Sequence, residues 1–293
     1  MSLVLFQLLN AFVWSWVVAL IALGLNLVYG VLRVINVAHG AFYMLGAVVA
    51  WSLIRLTEPL GTPYEMAFAA ALILAPLLVG TAAWLTERVA LRPIIDRPIL
   101  TIIATFGLML ILEQAVQELI PSVQTLAQPL AGSIPVLGLR YPLYRLLVAA
   151  TALATMVAVG LALSRTRFGL WARAVRQNRE LALSLGVPVP HVYGLAFGVG
   201  SALAALAGVL TAPIVTVHAH MGLDILIDAF TVVIVGGLGS LSGAVVAAFL
   251  YRMSEGVLSV WIDPVLARAL ALALMAAILV WRPQGLFGHE RDT

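Results

Sequence analysis

Long apolar runs separated by short polar connections dominate the chain. Nine such runs stand out, at 7–29, 39–57, 65–86, 99–119, 143–163, 191–213, 223–237, 240–259 and 264–281. A helix needs about 20 mainly apolar residues to cross the hydrocarbon of a bilayer. The seventh run is short for that and ends in glycines, and the second follows a polar break. Either fits a half-helix or a re-entrant piece. The pattern therefore predicts an all-α integral membrane protein, a polytopic helical bundle of 8–9 transmembrane segments with broken or re-entrant helices. A single transmembrane domain is expected over 1–293, with its longest connections at about 120–142 and 164–190.

Composition sharpens this. Of 293 residues, 63% are hydrophobic and 10% charged, against about 25% charged in an ordinary soluble domain. A water-soluble fold could not cover so much apolar surface, so the chain needs lipid as solvent. There is no cysteine, which excludes disulfides, thiolate metal sites and cysteine nucleophiles. All 16 basic residues are arginine. A phosphate-binding loop of the form G-x-x-x-x-G-K-[ST] requires lysine, so any ATP hydrolysis by that route must sit on another polypeptide. Met1 to Gln7 carry no basic residue, and no cleavable signal peptide is expected.

Arginines set the orientation, because cytoplasmic connections carry the excess. With the 164–190 loop placed inside, the cytoplasmic side holds Arg33, Arg88, Arg92, Arg97, Arg165, Arg167, Arg173, Arg176, Arg179, Arg282 and Arg291. The outer side holds Arg55, Arg140, Arg145 and Arg268, and Arg252 lies within a span. The N-terminus is then outside and the C-terminus inside. Pro121, Pro129, Pro135 and Pro142 make the 120–142 outer loop irregular.

Within the basic inner loop, Asn178 is placed to cap a helix and Glu180 falls in its first turn. Gly186 suits the left-handed position after the helix, and Pro188 follows where a helix cannot continue. The result is a helix of about two turns, roughly 10 Å long. So short a helix persists only when packed against something. It either lies on the membrane surface, anchored by Trp171 and the arginines, or is gripped by a partner protein.

The stretch Glu180-x-Ala182-x-x-x-Gly186 resembles the E-A-A-x-x-x-G coupling loop of bacterial ABC importer permeases, with Leu181 in place of the first alanine. Arg173 to Gly186 resembles a longer form of it. Ala22-Leu23-Gly24-Leu25-Asn26-Leu27-Val28-Tyr29-Gly30 and Val34-Ile35-Asn36-Val37-Ala38-His39-Gly40 extend the likeness. So do Gly236-Gly237-Leu238-Gly239-Ser240 and the tail Arg282-Pro283-Gln284-Gly285-Leu286-Phe287-Gly288. Together, from about residue 15 to 288, they resemble the permeases of high-affinity branched-chain amino acid ABC transporters, the shorter LivH-type subunit in particular. That resemblance implies a transport role in the bacterial inner membrane and no enzymatic activity. It implies partners as well: a second homologous permease forming a heterodimer, two cytoplasmic ATPase subunits, and a periplasmic solute-binding protein. It implies that ATP and Mg sit on the ATPases, with no cofactor on this chain. It assigns ATPase coupling to Arg176, Asn178, Glu180, Leu181, Ala182 and Gly186. Related permeases carry urea, amides or aromatic acids. Asp228 stands where the family has a lysine before Ala-Phe, which leaves the solute open. Nothing points to nucleic acid.

Polar groups in a span usually face the bundle interior or a water-filled cavity. Asn26, Asn36, His39, Glu113, Gln114, Gln117, Arg252 and Glu255 are such groups. Each either holds two helices together or lines a pathway, and Arg252 and Glu255, three apart, are spaced to pair. Gly236, Gly237, Gly239 and Ser240 break one helix, and the Gly30–Gly40 stretch breaks another. Transporters place solute near broken helices, so Asn26, Asn36, His39, Gly40, Glu113, Gly236, Gly237, Gly239 and Ser240 form the candidate pathway or gate. The competing reading is a plain inner-surface turn at both breaks. His218, His220, Asp224 and Asp228 read as a hydrated outer rim, with metal ligation the weaker alternative. An ion-coupled secondary transporter would need titratable groups in the spans, where Glu113 and Glu255 are the carboxylates. A membrane enzyme would need a convergent catalytic set, which the sequence does not show.

Overall fold

The computed structural model describes residues 2–120, 123–136 and 138–288. Pro121 and Arg291, assigned above to the outer loop and the inner side, lie outside them. In chain order the helices are α1 (Ser2–Leu32), α2 (His39–Thr57), α3 (Tyr64–Thr86), α4 (Pro98–Leu119), α5 (Leu143–Arg165), α6 (Arg167–Gln177), α7 (Arg179–Ser184), α8 (Val189–Thr211), α9 (Met221–Gly236), α10 (Leu241–Leu258) and α11 (Pro264–Trp281). Among the described residues, eight helices are long and apolar enough to cross a membrane. The ninth membrane-depth helix, α9, has 16 residues and so spans about 24 Å, short of the roughly 30 Å hydrocarbon layer.

Helices α1 and α8 form the centre. Leu20, Ile21 and Ala22 in α1 and Ala204, Ala205 and Ala207 in α8 are fully buried. Small residues let the backbones touch: a Cβ on Gly200 would stand 2.6 Å from the Gly24 carbonyl oxygen. Without a hydrophobic driving force between helices in lipid, such close packing is what holds them together. By contrast, α4, α5 and α11 expose large apolar side chains such as Ile103, Ile111, Val157 and Leu266.

The 120–142 connection is more ordered than its prolines suggest. β1 (Ser133–Val136) and β2 (Leu139–Pro142) pair antiparallel, Ser133 opposite Pro142, and Gln124 bridges Val217 through backbone bonds of 2.9 and 2.8 Å. Pro135 and Pro142 are tolerated because a two-stranded ribbon is all edge.

The first break is narrower than the sequence placed it, and the second falls where the glycines put it, at 237–240 between α9 and α10. α1 runs unbroken through Gly30 to Leu32, and the irregular backbone covers 33–38. Arg33 takes a left-handed φ of 56° to turn the chain back. The His39 Nε2 then meets the Ile21 carbonyl at 3.0 Å. Ile21 lies eleven residues before the end of α1, about 16 Å along the axis. The stretch 33–38 is therefore not a plain surface turn: it climbs back into the bundle, and α2 starts at depth. From the opposite end, the 212–220 connection descends to start α9. The two starts meet at Gly40 and Gly222, where a Cβ on Gly40 would stand 2.8 Å from the Gly222 carbonyl carbon. Irregular backbone at this depth survives because protein encloses it: Val34, Asn36, Ala38 and His39 are buried.

Candidate functional site

The sequence-derived residues fall into two groups. The first surrounds α7. Asn178 caps it, its Oδ1 accepting from the Leu181 N–H at 3.0 Å, and Gly186 takes φ 79° after it. Ala182 is the buried face. The helix therefore forms as its cap and stop signals require, in six residues. Around that face, Leu181 and Leu183 in the helix and Leu185 at its C-cap are 57%, 47% and 74% exposed. Glu180 is exposed beside them.

What holds α7 is a ring of tethers. Arg179 pairs with Asp96, just before α4, and lies over the Tyr193 ring at 5.7 Å. The bond to Asp96 raises the Arg179 guanidinium above its ordinary pKa, so it is charged at every physiological pH. A second helix, α6, supports α7 and was not expected from the sequence. Thr166 caps it, accepting from Gly169 N at 3.3 Å, and Gly169, Ala172 and Val175 form its buried face. The signal was present, since these residues recur every three positions behind a threonine.

Arg176 links α6 to the helix break at Gly237–Ser240. Its Nη1 donates to the Gly239 carbonyl at 2.8 Å, while its own carbonyl accepts from Arg33 at 3.1 Å. Asn26 of α1 closes the far side, donating to the Ser240 carbonyl at 2.6 Å and accepting from the Gly239 N–H. Gly237 and Gly239 take φ of 100° and 85°, which only glycine adopts without strain. The C-terminal tail seals the turn, Leu286 N bonding Val235 O at 2.7 Å and Phe287 N bonding Gly236 O at 3.2 Å. Arg176, Asn26, Gly236, Gly237, Gly239 and Ser240 are thus one assembly, in which a coupling residue and gate residues meet. Asn26 there is a clasp between helices.

The second group lies at the meeting point of the re-entrant starts. Asn36 and His39 are fully buried. Among the described residues, the Asn36 Oδ1 and Nδ2, the His39 Nδ1, the Glu113 Oε1 and the Ser201 Oγ have no hydrogen-bond partner. Buried polar atoms are normally satisfied, so several bare ones at membrane depth mark a polar interior. Thr105 of α4 holds the segment in place, accepting from Val37 N at 3.3 Å and donating to the Ile35 carbonyl at 3.4 Å. Glu113, eight residues on, lies 3.9 Å from the His220 Nδ1.

Other expectations need correcting. Gln114 and Gln117 point outward, away from the bundle interior, and Gln114 donates to Glu118 at 3.1 Å. Asp228 is not part of an outer rim. It is buried, binds Arg252 and Arg268, and accepts from the Tyr251 hydroxyl at 2.7 Å. Its side chain is enclosed by α10 and α11, while Asp224 and His220 are exposed. Arg252 does pair with Glu255, at 2.7 Å. Among the described residues no three metal-ligating side chains converge.

The profile of the family described as "Branched-chain amino acid transport system / permease component" matches residues 7–280. The chain is 27% identical to the high-affinity branched-chain amino acid transport system permease protein LivH of Salmonella typhimurium, over 97% of this chain and 95% of the relative. It is 29% identical to the corresponding permease protein BraD of Pseudomonas aeruginosa, over the same shares. A probable branched-chain amino acid transport permease protein LivH of Methanocaldococcus jannaschii is 27% identical over 96% of this chain and 91% of that one. No solved structure matches.

Proposed function

The chain belongs to the family of branched-chain amino acid transport system permease components, and from that premise we propose that it is the membrane subunit of an ABC importer moving branched-chain amino acids across the bacterial inner membrane. Separate ATPase subunits drive it, and a periplasmic binding protein delivers the solute. A second, homologous permease completes the pore.

The observation that carries this reading is α7. A six-residue helix cannot stand alone, yet it and its C-cap leave Leu181, Leu183 and Leu185 exposed. Exposed apolar side chains grouped on a short, tethered element are what a partner protein grips. Its tethers lead inward along two routes. One runs through Arg176 to the Gly239 turn and Asn26. The other runs through Arg179 and Asp96 to α4, whose Thr105 holds the re-entrant segment.

The mechanism follows from those routes. ATPase closure on ATP shifts α7 as a rigid body. The shift rocks α4 and α6, and with them the polar meeting point of α2 and α9. Access switches sides because ATP binds one arrangement more tightly than the other. Positions Asn36, His39, Gly40 and Glu113 are the part of the pathway that changes exposure. The residues of this chain supply no hydrolytic step.

The test is uptake into proteoliposomes holding this chain, its partner permease and the ATPases. Leucine should accumulate only with ATP inside the ATPase compartment and binding protein on the other side. Accumulation driven by an ion gradient, without either, would replace this reading with a secondary transporter.

A further inference from the structure

At the end of the bundle away from α6 and α7, a cavity of about 320 Å³ opens between α1, α5, α10 and α11. Gln7, Asn10, Trp14, Arg145, Arg252 and Glu255 form most of its wall. That volume falls within the range of small-molecule sites.

The charges around it are unevenly matched. Asp228 and Glu255 both engage Arg252, and Asp228 also engages Arg268. Arg145 has Asn10 as partner, and among the described residues no carboxylate forms an ion pair with it. The Nε atoms of both Arg145 and Arg252 are buried, with no hydrogen-bond partner among the described residues. Each is an N–H donor of a charged group, which is costly to leave unmade. The surrounding contacts hold the two guanidiniums still. Tyr141 and Arg145 both donate to the Asn10 Oδ1, the former at 3.0 Å. Trp14 lies 5.6 Å from the Arg252 guanidinium carbon. Asp228 is fixed in turn by the Tyr251 hydroxyl. Two guanidiniums held in place and one carboxylate, Glu255, therefore share a cavity.

We propose that this cavity binds the zwitterionic head of an α-amino acid, its carboxylate on the Arg145 and Arg252 guanidiniums and its ammonium at Glu255. The polar lining reads the head group, which all α-amino acids share, so choice among side chains falls to another component. The proposal rests on the transport reading above for its ligand class. It adds a site which that reading does not contain.

The chain's lack of cysteine permits a direct test on the full-length protein in nanodiscs. Ser259 lines the cavity, and Ser259→Cys gives a single thiol whose rate of labelling by a charged methanethiosulfonate reports occupancy. Gln7→Cys is the second reporter should the first fold poorly. Millimolar L-leucine should slow labelling several-fold at both positions. Leucinamide, which lacks the carboxylate, and isocaproate, which lacks the ammonium, should not slow it at the same concentration. Equal protection by leucinamide overturns the arginine assignment, and equal protection by isocaproate overturns the role of Glu255. Protection by a different amino acid but not leucine keeps the site and overturns the branched-chain substrate. No protection by any amino acid, for a variant that still carries out ATP-driven leucine uptake when reconstituted with its partners in proteoliposomes, overturns the site and leaves the function standing.

Discussion

Asp228 is the anchor of the buried charge network, and replacing it by asparagine tests that network quantitatively. Its side chain is 2% exposed, while those of Arg252 and Arg268 are 13% and 36% exposed. Removing one partner of a buried ion pair costs about 3–5 kcal/mol, because the other charge stays buried. Here the loss is cushioned twice. Arg252 keeps Glu255 at 2.7 Å, and water reaches part of Arg268. Asp228→Asn should therefore cost about 3 kcal/mol, the lower end of that range. Arg268→Gln alone leaves Asp228 paired with Arg252 and should cost about 1 kcal/mol, as for a partly solvated pair. The double variant leaves Arg252 and Glu255 balanced, so it should be more stable than Asp228→Asn alone. A coupling of at least about 1 kcal/mol is expected, as for residues in one network. Unfolding the purified chain reversibly in mixed micelles by detergent titration gives all four stabilities. Additive single effects, within about 0.5 kcal/mol, or a wild-type midpoint for Asp228→Asn, would refute the reasoning.

Three further outcomes follow from the same contacts. Asn26→Ala leaves the buried Gly239 N–H without its acceptor and should cost about 1–3 kcal/mol, read as a lower melting point by tryptophan fluorescence; an unchanged melt would show that Asn26 is not a clasp. Gly40→Ala places a methyl against the Gly222 backbone and should cost about 1–3 kcal/mol through overpacking, whereas Gly107→Ala, with nothing within 4 Å, should be neutral or stabilise by up to about 1 kcal/mol. Equal melts for the two glycine variants would argue against close contact of the re-entrant starts. Asp96→Asn removes an ion pair whose partners are 42% and 72% exposed, so melting should hold while ATP-driven uptake falls; normal uptake would show that the tie to α4 carries no movement.

Much of the bundle could be read from hydropathy because lipid imposes it. A span must be apolar and must satisfy its own backbone, so the runs at 99–119 and 264–281 map onto α4 and α11 nearly residue for residue. The cap and stop of α7 were equally local: Asn178 and Gly186 do what those residue types do at helix ends. What failed depended on distance. Nothing near Arg33 in the sequence says that the following six residues climb back into the bundle, because the Ile21 carbonyl and the Thr105 hydroxyl that receive them are supplied by other helices. Asp228 was misplaced for a related reason. Its place among His218, His220 and Asp224 suggested a common outer rim, but a four-residue step leaves enough rotation for Tyr251, Arg252 and Arg268 to enclose Asp228 and leave Asp224 exposed. Gln114 and Gln117 point away from the interior although they neighbour buried Glu113, since one helix presents several faces and polarity alone does not say which is inward.

The most direct measurement is the accessibility of Leu185. Leu185→Cys puts a single thiol on the exposed leucine at the C-terminal cap of α7 in a chain that has no other. A membrane-impermeant maleimide should label it in inside-out vesicles and fail to label it in intact cells. Adding back the ATPase subunits should block that labelling, and stripping them should restore it. Labelling from outside the cell, or labelling indifferent to the ATPases, would contradict a permease worked through α7.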